Sequence, residues 1–449
     1  MVAAPFTRNG ATLSALQRLS RRHIALALPA VTAACALGGQ GSETPPSSEP
    51  VRVTFFSRTA EEEAFTRRAA EFQERYPRIR LDYQALAGDY LEVIRTHAAA
   101  GTLADVVYLQ NLLFEGLAAG GSLQPIDRLV QRDKLNLKQW YESGLSALRL
   151  DGKLFGLPAR GQVGYCFLFY NRDAFARAGL REPHDSWTLD DLVTAAEKLT
   201  SRDGSRYGYN TQWGNFQHTL AAFRRFGGDL LSPDGKRCVA DSPQALQAVQ
   251  WHWDLWHRRE VMPARPYTDA DFGSGAIAMA GQMLAGARGG LRNAVKDSFQ
   301  WSMVAMPKGP TGKFGAELSV APIGLNSATR VVDQGWPVVQ WFTDRETGVA
   351  LGLQTRGSNT PGMRHDVYCD ERLLNDPLYP REMLERVCKT MDQYAAQVTY
   401  SVAANFRQAE VNSVVTRHMT AFRDQKTAPS AAALRAMAAE VQAILDQPR

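Results

Sequence analysis

The 449 residues contain no C-x-x-C pair, no H-E-x-x-H or H-x-H run and no G-x-S-x-G elbow. With only five cysteines and eight histidines, spaced otherwise, the chain is excluded from the common zinc sites, zinc-protease helices and serine-hydrolase turns. Gly273-Ser274-Gly275-Ala276-Ile277-Ala278 lacks the third glycine of a dinucleotide fingerprint and has no suitable acidic partner downstream. In Gly309-Pro310-Thr311-Gly312-Lys313-Phe314 the glycines are too close for a phosphate-cradling loop. Phe314 also stands where Ser or Thr must reach magnesium, so this reads as a surface turn. Acidic pairs such as Asp190-Asp191 fall at helix starts, where dipole and capping account for them, and nothing nominates two facing carboxylates for glycoside hydrolysis. No catalytic residue, cofactor or metal is expected.

Long apolar runs are also scarce. Ile24 to Leu37 is short and Ala-rich, below the roughly 20 residues a spanning helix needs. It follows Ser20-Arg21-Arg22-His23, so residues 1–34 read as an export signal, either twin-arginine or an ordinary Sec signal with two arginines. These residues carry four arginines and no acid; of the formal +5, the remaining chain keeps only +1. A nearly neutral mature protein gives no electrostatic case for nucleic acid. Val31-Thr32-Ala33-Ala34-Cys35 looks like a lipobox with Thr32 in place of an aliphatic residue, the alternative being cleavage at a nearby small residue. Residues 35–50 then form a lipidated Cys35 and a Gly/Ser/Pro/Glu-rich tether with nothing to bury.

Beyond the tether the composition is globular and the length suits two lobes. Val51, Val53 and Phe55 alternate as a strand; Phe65, Ala69, Phe72 and Tyr76 recur at helical spacing before Pro77; Ile79, Leu81 and Tyr83 alternate again. A helix near Tyr90 to Ala100 leads to the short apolar strand Asp105–Leu109. This order implies an α/β lobe with a largely parallel sheet. Tyr165 to Tyr170 reads as a buried strand, with Cys166 a small buried hydrophobe. Thr188 and Asp191 resemble a capping box, and Ser242-Pro243 offers a cap and an N1 proline. Leu246, Val249, Trp253 and Trp256 share one face of that second helix, a core pattern rather than a sugar platform. Leu434, Met437, Val441, Ile444 and Leu445 mark a final amphipathic helix. Cys369 and Cys388 can pair in an oxidising compartment, though spacing alone shows no geometry.

Several segments resemble family 1 extracellular solute-binding proteins, the group that includes maltose-binding proteins. They are Asp105-Val106-Val107 with Gln110-Asn111, Asp151-Gly152-Lys153-Leu154-Phe155-Gly156-Leu157-Pro158, Tyr170-Asn171-Arg172-Asp173-Ala174-Phe175, Asp185 to Leu192, Phe226-Gly227-Gly228 and Gly275 to Met279. The resemblance implies a two-lobed α/β periplasmic binding protein fold, its lobes joined by crossing strands around a ligand cleft. Residues 51–160 plus 318–360 would form the first lobe and 161–317 plus 361–449 the second. It further implies a monomer that hands a small solute, a sugar or oligosaccharide, to ABC permease subunits outside the cytoplasmic membrane. The pocket positions it points to are Ser57, Arg58, Leu109, Gln110, Asn111, Arg160, Tyr165, Trp213, Phe216, Gln282, Met283, Glu317 and Arg356. Trp213 is the expected stacking aromatic. The sequence departs from the family at Met283, where an aromatic is common, and at Ala316-Glu317, where small residues are usual. A lipid-anchored polysaccharide-degrading enzyme and a non-binding scaffold are the competing readings.

Overall fold

The computed structural model describes residues 49–282, 290–395, 398 and 402–448. The expected export signal, Cys35 and nearly all of the tether lie outside the described residues, as do Met283 and the side chains of Asn111 and Gln282.

Eleven strands are described, in chain order β1 (Val51–Arg58), β2 (Ile79–Leu86), β3 (Val106–Tyr108), β4 (Arg149–Leu150), β5 (Lys153–Leu154), β6 (Leu157–Gly164), β7 (Phe167–Asn171), β8 (Tyr207–Thr211), β9 (Ile277–Gln282), β10 (Trp301–Ala305) and β11 (Glu317–Leu325). A first sheet has the order β2-β1-β3-β11-β6. In it β1 pairs in parallel with β2 and β3, and β11 runs antiparallel to β3 and β6. The helices Glu62–Arg75 and Tyr90–Ala99 supply the crossovers that parallel pairing requires. Their apolar stripes, Phe65 and Phe72 on one and Ile94 on the other, are fully buried. Tyr76 closes the first helix just before Pro77, which cannot continue it.

A second sheet has the order β10-β7-β9-β8, with only β8 and β9 parallel. Its packing helices begin where the sequence signals them. Thr188 and Asp191 form a reciprocal capping box for Leu189–Leu199, and Ser242 caps Pro243–His257. At Gly208 an added Cβ would lie 2.0 Å from the Ala196 carbonyl oxygen, so β8 seats on its helix only as glycine. Trp253 and Trp256 are core, as their spacing implies, and Ala431–Leu445 docks through Leu434, Met437 and Val441.

The apolar stretch after Gly156 is two strands in two sheets, β6 and β7, separated by Tyr165 and Cys166. Tyr165 adopts φ +60°, a backbone region costly for a residue with a Cβ, and this turn moves the chain between sheets. Residues 306–316 return it from β10 to β11. The expected division at residue 360 is not where the packing changes. The Pro361 carbonyl accepts from the Gly161 amide, the Tyr368 hydroxyl donates to the Gly161 carbonyl, and Arg364 forms a bridge with Trp140. These contacts hold the segment after residue 360 against β6. The helix Arg381–Tyr394 then packs on both β6 and β10, and Gln408–Asp424 and Ala431–Leu445 join the helices of the second sheet. A disulfide joins Cys369 to Cys388, tying that bridging helix to the preceding turn. Cys166 is a free, buried thiol that burial pushes up to about 12, as expected of an inert core cysteine. No described helix is long and apolar enough to cross a membrane.

Candidate functional site

In open α/β sheets, ligands bind beyond the carboxyl ends of the parallel strands. Here β1 ends at Ser57-Arg58 and β3 at Tyr108, followed by Leu109 and Gln110. Arg160 on β6 reaches the same place. Ser57 is fully buried, and its hydroxyl lies 2.8 Å from that of Tyr83. Arg58 makes a two-pronged contact with Glu61, Nε and Nη2 donating to the two carboxylate oxygens at 2.6 Å each. Arg160 Nε lies 3.2 Å from Glu61 Oε1 and donates to the Tyr108 hydroxyl at 2.5 Å, while its Nη1 donates to Thr360 Oγ1 at 3.1 Å. Glu61 is fully buried between the two guanidinium groups. Burial raises the Tyr108 phenol above its ordinary value, so it stays neutral here and contributes hydroxyl hydrogen bonding, not charge.

At the crossing, the Tyr165 hydroxyl donates to Gln212 Oε1 at 2.7 Å, just past the end of β8. Glu317, the first residue of β11, pairs with Gly164 and is buried; its Oε1 accepts no hydrogen bond from the described residues. Desolvation pushes its carboxyl up to about 8 against the opposing pull of Arg224. The fully buried Arg225 guanidinium stitches the two crossings together, donating at 2.9 Å each to the carbonyls of Phe314 and Tyr165.

A model of the bacterial extracellular solute-binding protein family matches residues 57–349, which span both sheets and the crossings between them. The chain belongs to that family. A binding protein of Brucella abortus (strain 2308) is 24% identical over 287 residues, 61% of this chain and 67% of that one. Among solved structures, the ABC substrate-binding protein Lmo0181 of Listeria monocytogenes in complex with cycloalternan superposes with a TM-score of 0.74. It shares 18% identity, over 88% of this chain and 99% of that one. The sugar-binding protein MalE of Xanthomonas citri gives 0.73 at 17% identity, over 88% and 97%. The fold is thus the two-lobed periplasmic binding protein fold.

Measured on this solute-binding fold, the expected pocket residues divide. Arg58 and Arg160 converge on Glu61, whereas Ser57 spends its fully buried hydroxyl on Tyr83; Tyr165 and Glu317 both lie at the crossing. Leu109 is fully buried, its amide donating to Pro322, so it offers no side chain to a ligand. Gln110 is half-buried, just before the helix Asn111–Ala119. Phe216 is buried as the first residue of Phe216–Arg225. Arg356 is exposed, its amide held by Glu63 of the first lobe rather than near a crossing.

Trp213 is corrected outright. Its indole N–H donates to the Met419 carbonyl at 2.8 Å, and its ring packs 4.4 Å from His252 and 5.2 Å from Trp256 between centroids. Burial pushes His252 down to about 3, so it is a neutral flat ring and a good core neighbour. Trp213 is therefore a core residue, with its polar handle already used. Glu61, Tyr83, Tyr108, Gln212 and Thr360 are the residues the sequence reading missed. Glu61 sits in the run Glu61-Glu62-Glu63, which looks like any acidic first turn of a helix.

Proposed function

We propose that this protein captures a small solute of the sugar or oligosaccharide class outside the cytoplasmic membrane and presents it to the permease subunits of an ABC importer. One observation carries the reading: the partly exposed Arg58 and Arg160 meet, with Tyr108 and Thr360, at the carboxyl ends of β1 and β3, where ligands bind in open α/β sheets. Family membership supports binding without turnover. The sugar class is supported by relatives of the same fold, one a sugar-binding protein and one solved with cycloalternan. Guanidinium and hydroxyl groups match the hydroxyls of such a ligand without any acid, base or nucleophile.

The lipobox-like run ending at Cys35 and the tether after it support a lipid anchor at the membrane's outer face. A multiply acylated cysteine would hold the protein there stably.

The test is a thermal-shift screen of purified protein against neutral sugars, sugar acids, sugar phosphates and polyols. A ligand at about 100 times its Kd adds roughly 2.7 kcal/mol to stability and should be recovered unchanged after incubation. Recovery of a cleaved product would replace capture with catalysis.

A further inference from the structure

The cluster at the ends of β1 and β3 does not balance its charge. Two guanidinium groups, Arg58 and Arg160, share the single carboxylate of Glu61. Glu61 is fully buried, and the side chains of Arg58 and Arg160 are only 19% and 11% exposed. The other polar groups touching them are Tyr108 and Thr360, and neither offers negative charge. Burial raises the phenols of Tyr83, Tyr90 and Tyr108 above their ordinary range, which keeps all three neutral. The nearby acids do not fill the gap. Glu62 is exposed on the following helix, and the Glu63 carboxylate is spent on the amides of Thr355 and Arg356 and the Thr355 hydroxyl. A net positive charge is thus held mostly out of water. Such an excess is costly unless something offsets it.

The donors are also not used up. A guanidinium carries five N–H groups in a planar fork. Arg58 spends its Nε and Nη2 edge on Glu61 and also reaches the Tyr108 hydroxyl. Arg160 spends Nε on Tyr108 and Glu61 and Nη1 on Thr360, and its Nη2 donates to no acceptor among the described residues. A planar, partly desolvated pair of guanidiniums matches a carboxylate or a phosphate, whose oxygens accept two parallel bonds. A neutral hydroxyl would take a hydrogen bond from the same groups but would leave the charge standing.

We propose that the captured solute carries an anionic group, a carboxylate or a phosphate, which docks on Arg58 and Arg160 beside Glu61. The proposal rests on the capture reading above and specifies its ligand. The rest of the solute can still be a sugar, as in a sugar acid or a sugar phosphate.

The test compares matched probes by calorimetry and thermal shift: glucose and maltose as neutral parents, glucuronate and maltobionate for the carboxylate arm, glucose 1-phosphate and maltose 1-phosphate for the phosphate arm, and inorganic phosphate alone. The expected result is at least tenfold tighter binding of one anionic arm than of its neutral parent, and that arm identifies the group. Equal or tighter binding of the neutral parents overturns the anionic assignment and leaves the capture reading intact. A lack of binding by every anionic probe, inorganic phosphate included, also overturns it. The capture reading is then judged on solute released from protein purified out of its native host.

Charge variants give effects of opposite sign. Arg58→Gln leaves one guanidinium against one carboxylate, so the cluster is neutral and the anionic preference should fall at least tenfold. Arg58→Lys keeps the charge and should retain part of it. Glu61→Gln adds a unit of positive charge and should increase the preference. Circular dichroism and unliganded melting establish that each variant is folded. If all three variants shift the neutral and anionic probes in parallel, the residues only support the pocket wall.

Discussion

Among single residues, Glu317 makes the clearest physical statement. The fold buries it at the start of β11 with one oxygen unbonded and a carboxyl raised to about 8. The neighbouring Arg224 does not neutralise it, because that guanidinium is engaged with Asp229 and the Ala316 carbonyl. Burial therefore outweighs attraction. The folded chain keeps this proton while the unfolded chain releases it near the ordinary value of 4.5. Between those two values the native state binds more protons, so stability must fall as pH rises and level off above about 8. Each pH unit in that window is worth up to about 1.4 kcal/mol from this one group. Urea unfolding of the wild type at pH 5, 6.5 and 8.5 should show the decline, and Glu317→Gln should remove most of it. An unchanged slope in the variant would mean that the carboxyl finds water or a partner in solution.

At the scale of elements, the helix Phe216–Arg225 does more than cover the second sheet. Its last residue holds both crossings, through the carbonyls of Tyr165 on one and Phe314 and Gly315 on the other. Gly315, at φ +63°, lets the second crossing approach so closely that an added Cβ would lie 2.1 Å from the Ala221 carbonyl oxygen. Replacing Arg225 with methionine removes the cost of a buried guanidinium but strands at least two buried carbonyls, each worth about 1–3 kcal/mol when unmade. The strandings should win, with a net loss of about 2–4 kcal/mol. Hydrogen exchange should rise at residues 164–167 and 313–316 more than in β1 to β3. Uniform exchange across the chain would mean Arg225 is an ordinary core residue.

The same scale shows what was legible beforehand. Elements with clean periodicity or caps, such as β1, Glu62–Arg75 and Leu189–Leu199, can be read from local chemistry, because the signal lies within a dozen residues. The switch at Tyr165 cannot. Neither glycine nor asparagine marks the positive φ there, so β6 and β7 look like a continuous apolar run. Trp213 fails for a related reason: its partners His252, Trp256 and Met419 are distant in sequence, and a short turn before a helix shows no period of its own. Within the candidate site, Arg58 and Arg160 were accessible through resemblance. Glu61, which defines their charge state, was hidden in a run of three acids.

For the whole molecule, the two sheets matter as bodies joined by thin connections. Tyr165-Cys166 and residues 306–316 carry the chain between β6 and β7 and between β10 and β11, while the helix Arg381–Tyr394 rests on both β6 and β10. Rotation about such connections works against a shared apolar cluster, which runs from the first sheet through Met383, Val387 and Met391 of that helix to Phe167, Phe169 and Met303 of the second, so the ligand must supply the difference. A ligand closes the lobes only in so far as it binds the closed arrangement better than the open one. Moving a population from 1:99 to 99:1 takes a difference of about 5.5 kcal/mol, more than one or two hydrogen bonds supply. On the capture reading both lobes would contribute, the Arg58, Glu61 and Arg160 cluster from the first and the Tyr165 and Gln212 pair from the crossing. Solution scattering with a verified ligand should show a smaller radius of gyration than without it. Gln212→Ala, which leaves the arginine cluster untouched, should retain ligand with weaker affinity and a reduced change in radius. Full compaction in that variant would place the closing contacts elsewhere on the second lobe, and identical profiles with and without ligand would show that this protein binds as a rigid body.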